Sequence, residues 1–441
     1  MRFWLYSSLF VIVAGAASGQ QASDSMAPEI GGTGQVATSQ AVAEAQARKA
    51  EGRPVEAQEW MVVAAHPLAV EAGAEVLAAG GTAADAMVAV QAVLGLVEPQ
   101  SSGLGGGAFL VWWDAKRGEM TTLDGRETAP LEATPRLFQD DQGQPLQFYD
   151  AVVGGRSVGV PGTPALLQEA HERWGARPWA DLFDRAITLA EEGFAVSPRL
   201  SASVAGDAER LGRFEATARY FLPDGAPLQP GALLRNPDYA ETLRALATEG
   251  ARVFYSGEIA KDIAATVQNA PGNPGVLSET DLALYRVKER AAVCAPYRAY
   301  EICGMGPPSS GAVAVGQSLG LLAPFDVAGF GPESPDAWRL LGDASRLAFA
   351  DRGKFLADTD FVPVPVKGLL EKMYLENRSQ LLNGGVALPE AAPGAPEFDH
   401  ALNWAMDAAI ELPSTSHISI VDSFGNALSM TTTVENAFGS R

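Results

Sequence analysis

Alternation of apolar and polar residues marks the strands of this chain, and a period near 3.6 marks its helices. Trp60-Met61-Val62-Val63-Ala64 is the first strand-like run. His66-Pro67 opens a helix, with proline in its first turn, that stops at Gly80-Gly81. Thr82, with Asp85 three residues on, has the form of an N-cap with a supporting acid and leads an apolar helix to about Leu96. Residues 109–113 read as a strand that turns at Lys116-Arg117-Gly118 and returns over 120–123. Ala151-Val152-Val153 is strand-like, and Thr163 to Gly193 carries two amphipathic helices ending at Gly175 and Gly193. Residues 200–290 are mostly helical in pattern, as are 312–322 and 338–354. Residues 383–397, with Gly384, Gly385, Pro389, Pro393, Gly394 and Pro396, form a loop by composition, either a mobile approach to the segment around Ser414 or a plain connection.

The most regular alternation comes near the end of the chain. Pro413 can neither continue a helix nor donate to a ladder, and Thr415-Ser416-His417-Ile418-Ser419-Ile420-Val421-Asp422 then has the period of a half-buried strand. Ser423-Phe424-Gly425-Asn426 supplies turn chemistry, and Ala427 to Thr433 returns as a partner rich in β-branched threonine. A hairpin is predicted, with Thr415 at its first residue. A threonine hydroxyl is a poor nucleophile without a base beside it, and cutting the chain ahead of the threonine frees its own α-amine for that task. The amine's reference pKa of about 8 leaves part of it unprotonated near neutrality. Spacing alone fits an ordinary strand-opening threonine equally well. Arg126, in a Gly-flanked loop after a strand, suits either a bidentate carboxylate clamp or a surface ion pair.

The run from Thr415 through residues 417–422, Gly425-Asn426-Ala427, Thr431-Thr432-Thr433 and Phe438-Gly439-Ser440 resembles the start of the small subunit of γ-glutamyltransferases. These are N-terminal-nucleophile hydrolases that cleave their own precursor. Arg126-Glu127-Thr128-Ala129-Pro130, the run from Gly155 to Thr163 and Pro307-Pro308-Ser309-Ser310-Gly311 resemble large-subunit segments in the family's order, so the resemblance extends from about Trp60 to Arg441. It implies an α+β fold, the four-layer αββα sandwich of the superfamily, with both hairpin strands in the central sheets. It also implies a large-subunit region over 59–414, the start of a small subunit over 415–441, and autocleavage between Ser414 and Thr415.

In that scheme Thr415 is the nucleophile and Thr433 orients it, while Arg126 holds the α-carboxylate of a γ-glutamyl group and Glu435 its α-amino group. The implied reaction carries the γ-glutamyl group of glutathione, or of a similar compound, through a threonine ester to water or to an amino acid or peptide amine. No cofactor is required. The implied partners are that small-molecule substrate and the two subunits cut from one precursor. Ser416 and Ala312 stand where many family members have Thr and Gly. Members also continue well beyond Phe438-Gly439-Ser440, through the glycine pair of the oxyanion hole, so a chain ending at Arg441 is read as C-terminally incomplete.

Composition narrows the setting. At 441 residues and 47% hydrophobic the chain suits a globular protein with a large core, and a formal charge of −21 argues against nucleic acid or an anionic membrane as partner. Arg2 followed by an apolar run to Ala17 and small residues to Gly19 has the form of a signal peptide over 1–19, too short to span a bilayer comfortably, though its single n-region charge also suits an uncleaved anchor. A signal of this kind implies a periplasmic or secreted location. Residues 20–58, rich in Ala, Gln, Ser and Gly, read as a flexible N-terminus. Cys294 and Cys303, nine apart, suit a disulfide in an exported protein or a pair of buried free thiols. These cysteines and the scattered His66, His171, His400 and His417 have no metal-ligand spacing. His66 reads as a cap or packing residue rather than a ligand, and His171, among Glu169, Glu172 and Arg173, as part of a solvated face.

Two short motifs point elsewhere and are discounted by context. Gly103, Gly105 and Ala108 match a dinucleotide fingerprint, but a helix precedes them and a strand comes after, the reverse of the required order. Gly155-Arg156-Ser157-Val158-Gly159 matches a nucleophile elbow, yet Pro161-Gly162 would break the helix that must begin at its serine. Two other readings stay open: a cephalosporin or glutaryl acylase of the same superfamily, and a non-catalytic, uncleaved binding protein.

Overall fold

The computed structural model describes residues 38–398, 405–407 and 414–441. The signal segment, His400 and Pro413 lie outside the described residues. The strands are β1 (Met61–Val63), β2 (Gly107–Asp114), β3 (Glu119–Gly125), β4 (Phe194–Ala195), β5 (Leu233–Leu234), β6 (Lys288–Arg290), β7 (Val293–Tyr297), β8 (Tyr300–Gly304), β9 (Thr415–Val421) and β10 (Ala427–Thr433). Six of them build one sheet in the order β1-β9-β10-β2-β3-β6, and β4–β5 and β7–β8 form separate pairs. Every ladder in the large sheet is antiparallel.

Alternation along β9 and β10 decides which way the sheet faces. Ser416, Ile418, Ile420, Leu428, Met430 and Thr432 are buried, as are Ala108, Leu110 and Trp112 on β2. This face packs under the helix Ala83–Val97, nearly all of whose residues are buried, and the helix Thr163–Trp174. Trp112 stacks on Trp174 with centroids 4.8 Å apart. The opposite face carries Thr415, His417 and Val421 with Trp113 and Val63, and Val421, Trp113 and Val63 are exposed there.

One carboxylate joins the two halves of this layer. Asp422, 1% exposed, accepts from the main-chain N–H of Phe424 and Asn426, closing the hairpin turn, and from that of Ala83 at 3.0 Å. It therefore satisfies an orphan donor at the N-terminus of the buried helix, where a negative charge is favoured. The same helix begins with a full capping box between Thr82 and Asp85. A smaller apolar cluster of Leu321, Leu322, Leu340, Ala344 and Leu347 packs the helix Gly311–Leu322 against the helix Pro335–Phe355. Cys294 and Cys303 oppose one another on β7 and β8 and are joined by a disulfide.

Four expectations differ from the observed structure. Residues 40–50, read as flexible, form a helix capped by Ser39 that buries Val42, and the Ser39 N–H donates to Glu71 at 2.9 Å. The strand-like Ala151-Val152-Val153 belongs to a short helix, Phe148–Val152; the chain then turns at Gly154 (φ 110), and an apolar triplet has no period to separate helix from strand. His171 is not on a solvated face: its Nε2 lies 2.9 Å from the Arg177 carbonyl and 3.5 Å from Asp85, and its ring meets Trp179. After a 3-10 turn that ends at Asn383, residues 384–397 lack regular structure but are pinned. Leu388 N–H donates to Asp343 at 3.0 Å and Gly394 N–H to Asp351 at 2.7 Å, both carboxylates being buried on the helix Pro335–Phe355.

Candidate active site

Register alone brings the chemistry of the hairpin to one end of the sheet. Thr415 on β9 opposes Thr433 on β10, and Thr433 opposes Gly107 on β2. Gly125, the last residue of β3, opposes Ala108, so Arg126 emerges one step beyond, beside Gly107. Thr415 and Arg126 thus sit at opposite ends of one row, separated by three strand spacings of about 4.8 Å each.

Gly106 makes this close approach feasible. A Cβ there would lie 2.0 Å from the Thr433 carbonyl oxygen, whereas Gly103 and Gly105 have nothing within 4 Å. In the glycine run the crowded position is therefore Gly106, with Gly107 next to it, where a Cβ would meet the Glu127 carboxylate at 2.5 Å.

Thr433 is 4% exposed, and its hydroxyl has defined partners. Glu435 N–H donates to it at 2.8 Å, and the hydroxyl donates to the Ser414 carbonyl at 2.9 Å. Ser414 is buried in turn, and its hydroxyl donates to the Gln100 carbonyl at 2.6 Å. Phe438 N–H reaches that same carbonyl at 3.1 Å, and Val434 N–H reaches Ser101 O at 3.3 Å, so the segment after β10 is stitched to residues 100–101. Gln100 and Ser101 act through main-chain carbonyls, which leave no mark in composition or spacing. The peptide between Ser414 and Thr415 is consequently fixed from its carbonyl side, while Thr415 itself is exposed. His417, two residues on and on the same face, bonds Thr431 Oγ1 at 2.8 Å and Ser429 Oγ at 3.2 Å, and burial lowers its pKa, favouring the neutral ring.

Arg126 and Glu435 meet as an ion pair through Nη2 and Oε2. Glu435 occupies the left-handed region (φ 72), which aims it back across the row. Arg126 Nε also lies 3.3 Å from Glu127 Oε2, and its guanidinium sits 5.9 Å from the Phe109 ring centroid. Burial raises the Glu127 pKa, opposed by the Arg126 charge and by hydrogen bonds from main-chain amides. With Arg126 at 37% and Glu435 at 74% side-chain exposure, the pair is solvent-screened.

Neither discounted motif has the geometry of its namesake. Ser157 lies in a short 3-10 turn and donates to the Val152 carbonyl at 2.7 Å. Cys294, Glu301 and Cys303 form the one group of three metal-capable side chains among the described residues, and the disulfide engages both sulfurs. No helix among the described residues is long and apolar enough to cross a membrane.

The family model described as gamma-glutamyltranspeptidase matches residues 69–441. The glutathione hydrolase proenzyme of Bacillus subtilis (strain 168) is 37% identical over 389 residues, covering 87% of this chain and 65% of the relative. The acylase ACY 1 proenzyme of Pseudomonas sp. (strain SE83) is 37% identical over 397 residues, covering 88% of this chain and 68% of the relative. Among solved structures, the gamma-glutamyltranspeptidase of Helicobacter pylori superposes with a TM-score of 0.75 at 34% identity, covering 79% of this chain and 100% of that one. The cephalosporin acylase of Bacillus halodurans gives 0.75 at 28% identity, covering 88% and 68%. The chain spans about two thirds of the length of these curated relatives. With the matched region embracing the hairpin and the row from Thr415 to Arg126, the chain belongs to the gamma-glutamyltranspeptidase family.

Proposed function

We propose that this chain is the larger part of an autoprocessing γ-glutamyltransferase and glutathione hydrolase with Thr415 as its nucleophile. The observation that carries the reading is the Thr433 hydroxyl donated to the Ser414 carbonyl at 2.9 Å. Thr415 Oγ attacks that carbonyl carbon, the peptide C–N bond breaks as its nitrogen takes a proton, and an ester links Ser414 to Thr415. Water then hydrolyses the ester, leaving a Ser414 carboxylate and a free Thr415 amine. That amine is the base for the second reaction, in which Thr415 attacks the γ-carbonyl of a γ-glutamyl donor and releases its amine portion. Water or an amino acid or peptide amine resolves the new ester.

Arg126 and Glu435 favour a γ-glutamyl donor over a glutaryl one. A glutamyl head group carries a carboxylate and an ammonium, and each residue of the ion pair complements one of them. A glutaryl group has no ammonium for Glu435 to meet. The open sheet face bearing Thr415, Trp113 and Val421 suits a second sheet, which would complete the four-layer αββα sandwich. Residues 59–414 would then form the large subunit and 415–441 the start of the small one, in an exported protein.

N-terminal sequencing of the product of the complete reading frame tests the scheme. A second chain beginning Thr415-Ser416-His417 is expected, together with γ-glutamyl anilide hydrolysis that exceeds glutaryl anilide hydrolysis. Thr415→Ala should stay a single inactive polypeptide; a processed or active Thr415→Ala protein would sink the mechanism.

A further inference from the structure

Arg126 is held by its main chain as well as by its guanidinium. Its N–H donates to Asp124 Oδ1 at 2.9 Å, and its carbonyl accepts from the Tyr285 hydroxyl at 2.9 Å. Asp124 is 6% exposed, and its other oxygen accepts from Arg290 Nε at 2.7 Å. Arg290 in turn reaches Asp360 through both terminal nitrogens, at 3.1 and 2.8 Å, and Lys288 joins Asp360 at 2.5 Å. Those two cations hold the Asp360 carboxyl well below the usual range, so it stays ionised. On the other side Tyr285 stacks on Tyr255, with centroids 5.5 Å apart, and the Tyr255 hydroxyl donates to the Pro161 carbonyl at 2.9 Å. Burial raises the Tyr285 pKa, which keeps the proton it donates.

These partners come from remote parts of the chain and converge on one peptide unit. Asp124 lies on β3, Arg290 on β6, Asp360 beyond the helix Pro335–Phe355, and Tyr285 just after the helix Glu279–Leu284. A guanidinium stands about 6 Å from its Cα, so a 10–20° swing of the main chain moves it about 1–2 Å, enough to spoil bidentate geometry. We propose that Tyr285 and the Asp360–Arg290–Asp124 relay are positioning residues that fix the Arg126 main chain and thereby set selectivity for the donor's α-carboxylate. The inference rests on the reading of Arg126 as the carboxylate clamp.

Two donors separate this role from a merely structural one: γ-glutamyl-p-nitroanilide and 4-aminobutyryl-p-nitroanilide, which lacks only the α-carboxylate. The test uses the processed enzyme from the complete reading frame. Tyr285→Phe keeps the stacked ring, and Asp360→Asn alters a partly exposed link, so both should fold. Each should lower the ratio of kcat/KM between the two donors, by about tenfold for Tyr285→Phe, through a higher KM for the carboxylated donor with kcat little changed. Arg126→Gln is the control. Should it collapse the ratio while both positioning variants leave it at the wild-type value, the inference alone is overturned. Should Arg126→Gln itself leave the ratio unchanged, the clamp reading fails and takes the inference with it.

Discussion

Replacing Thr433 by valine removes one hydroxyl while keeping the shape of a residue that is 4% exposed. Because the Glu435 N–H can only donate, it occupies a lone pair of that hydroxyl and leaves its proton for the Ser414 carbonyl. Negative charge builds on this carbonyl oxygen when Thr415 attacks. Loss of one such donor costs about 2.7–4 kcal/mol of transition-state stabilisation, or about 10²–10³ in rate. The folded precursor also loses about 1–3 kcal/mol, since the buried Ser414 carbonyl is left without its partner and the part-buried Glu435 N–H loses its acceptor. We therefore predict that Thr433→Val folds with a lower Tm and converts to two chains about 10²- to 10³-fold more slowly, and that Thr433→Ser restores most of the rate. The assay is a time course of purified precursor on a denaturing gel, with intact mass marking the cut. Conversion of the valine variant at the wild-type rate refutes the donor role.

Three further outcomes are expected. Arg126→Gln should raise the KM for glutathione about ten- to a hundredfold, from loss of charge-assisted hydrogen bonds of about 1.5–3 kcal/mol, and should lower Tm only through Glu127, which loses its neighbouring cation, because the Glu435 pair is exposed; an unchanged KM in steady-state kinetics contradicts it. Gly106→Ala should block or slow processing, since its Cβ meets the Thr433 carbonyl oxygen at 2.0 Å, whereas Gly103→Ala, with open space around it, should process normally; equal behaviour of the two on a gel would discredit the close approach. Burial lowers the His66 pKa from 6.5 to about 4, so the unfolded chain binds a proton that the folded one refuses, and this stability is present above pH 6.5 and lost as pH falls towards 4. The loss amounts to about 3 kcal/mol, and His66→Asn, which keeps a capping acceptor without titrating, should flatten urea midpoints over that window relative to wild type.

Local chemistry made much of this layer legible. The hairpin announced itself through alternation and a Gly-Asn turn, and the helix start at Thr82 and Asp85 through a capping box. The features that stayed hidden depend on partners far away in the chain. Residues 383–397 look like a free loop until two buried aspartates of another helix accept their N–H groups, and His171 looks solvated until Asp85 and Trp179 are brought to it. Within the site, Thr433 and Glu435 were recognisable only by family resemblance, and Gln100 by nothing, since any side chain leaves its carbonyl available to Ser414. Glycine showed the same limit. The run around residue 105 stood out only through a fingerprint it does not form, and the opposing strand reveals that Gly106 rather than Gly103 is crowded.

The placement of β9 and β10 between β1 and β2 has a consequence for the molecule once its backbone is severed ahead of Thr415. The two new polypeptides would be interleaved, the younger one flanked on both sides by ladders belonging to the older and fastened to the start of its buried helix by Asp422. Dilution could not separate them, because parting would mean tearing the middle out of a sheet. Mature subunits should accordingly fail to exchange with labelled counterparts until the whole molecule melts, and their lifetime together would be that of the fold itself.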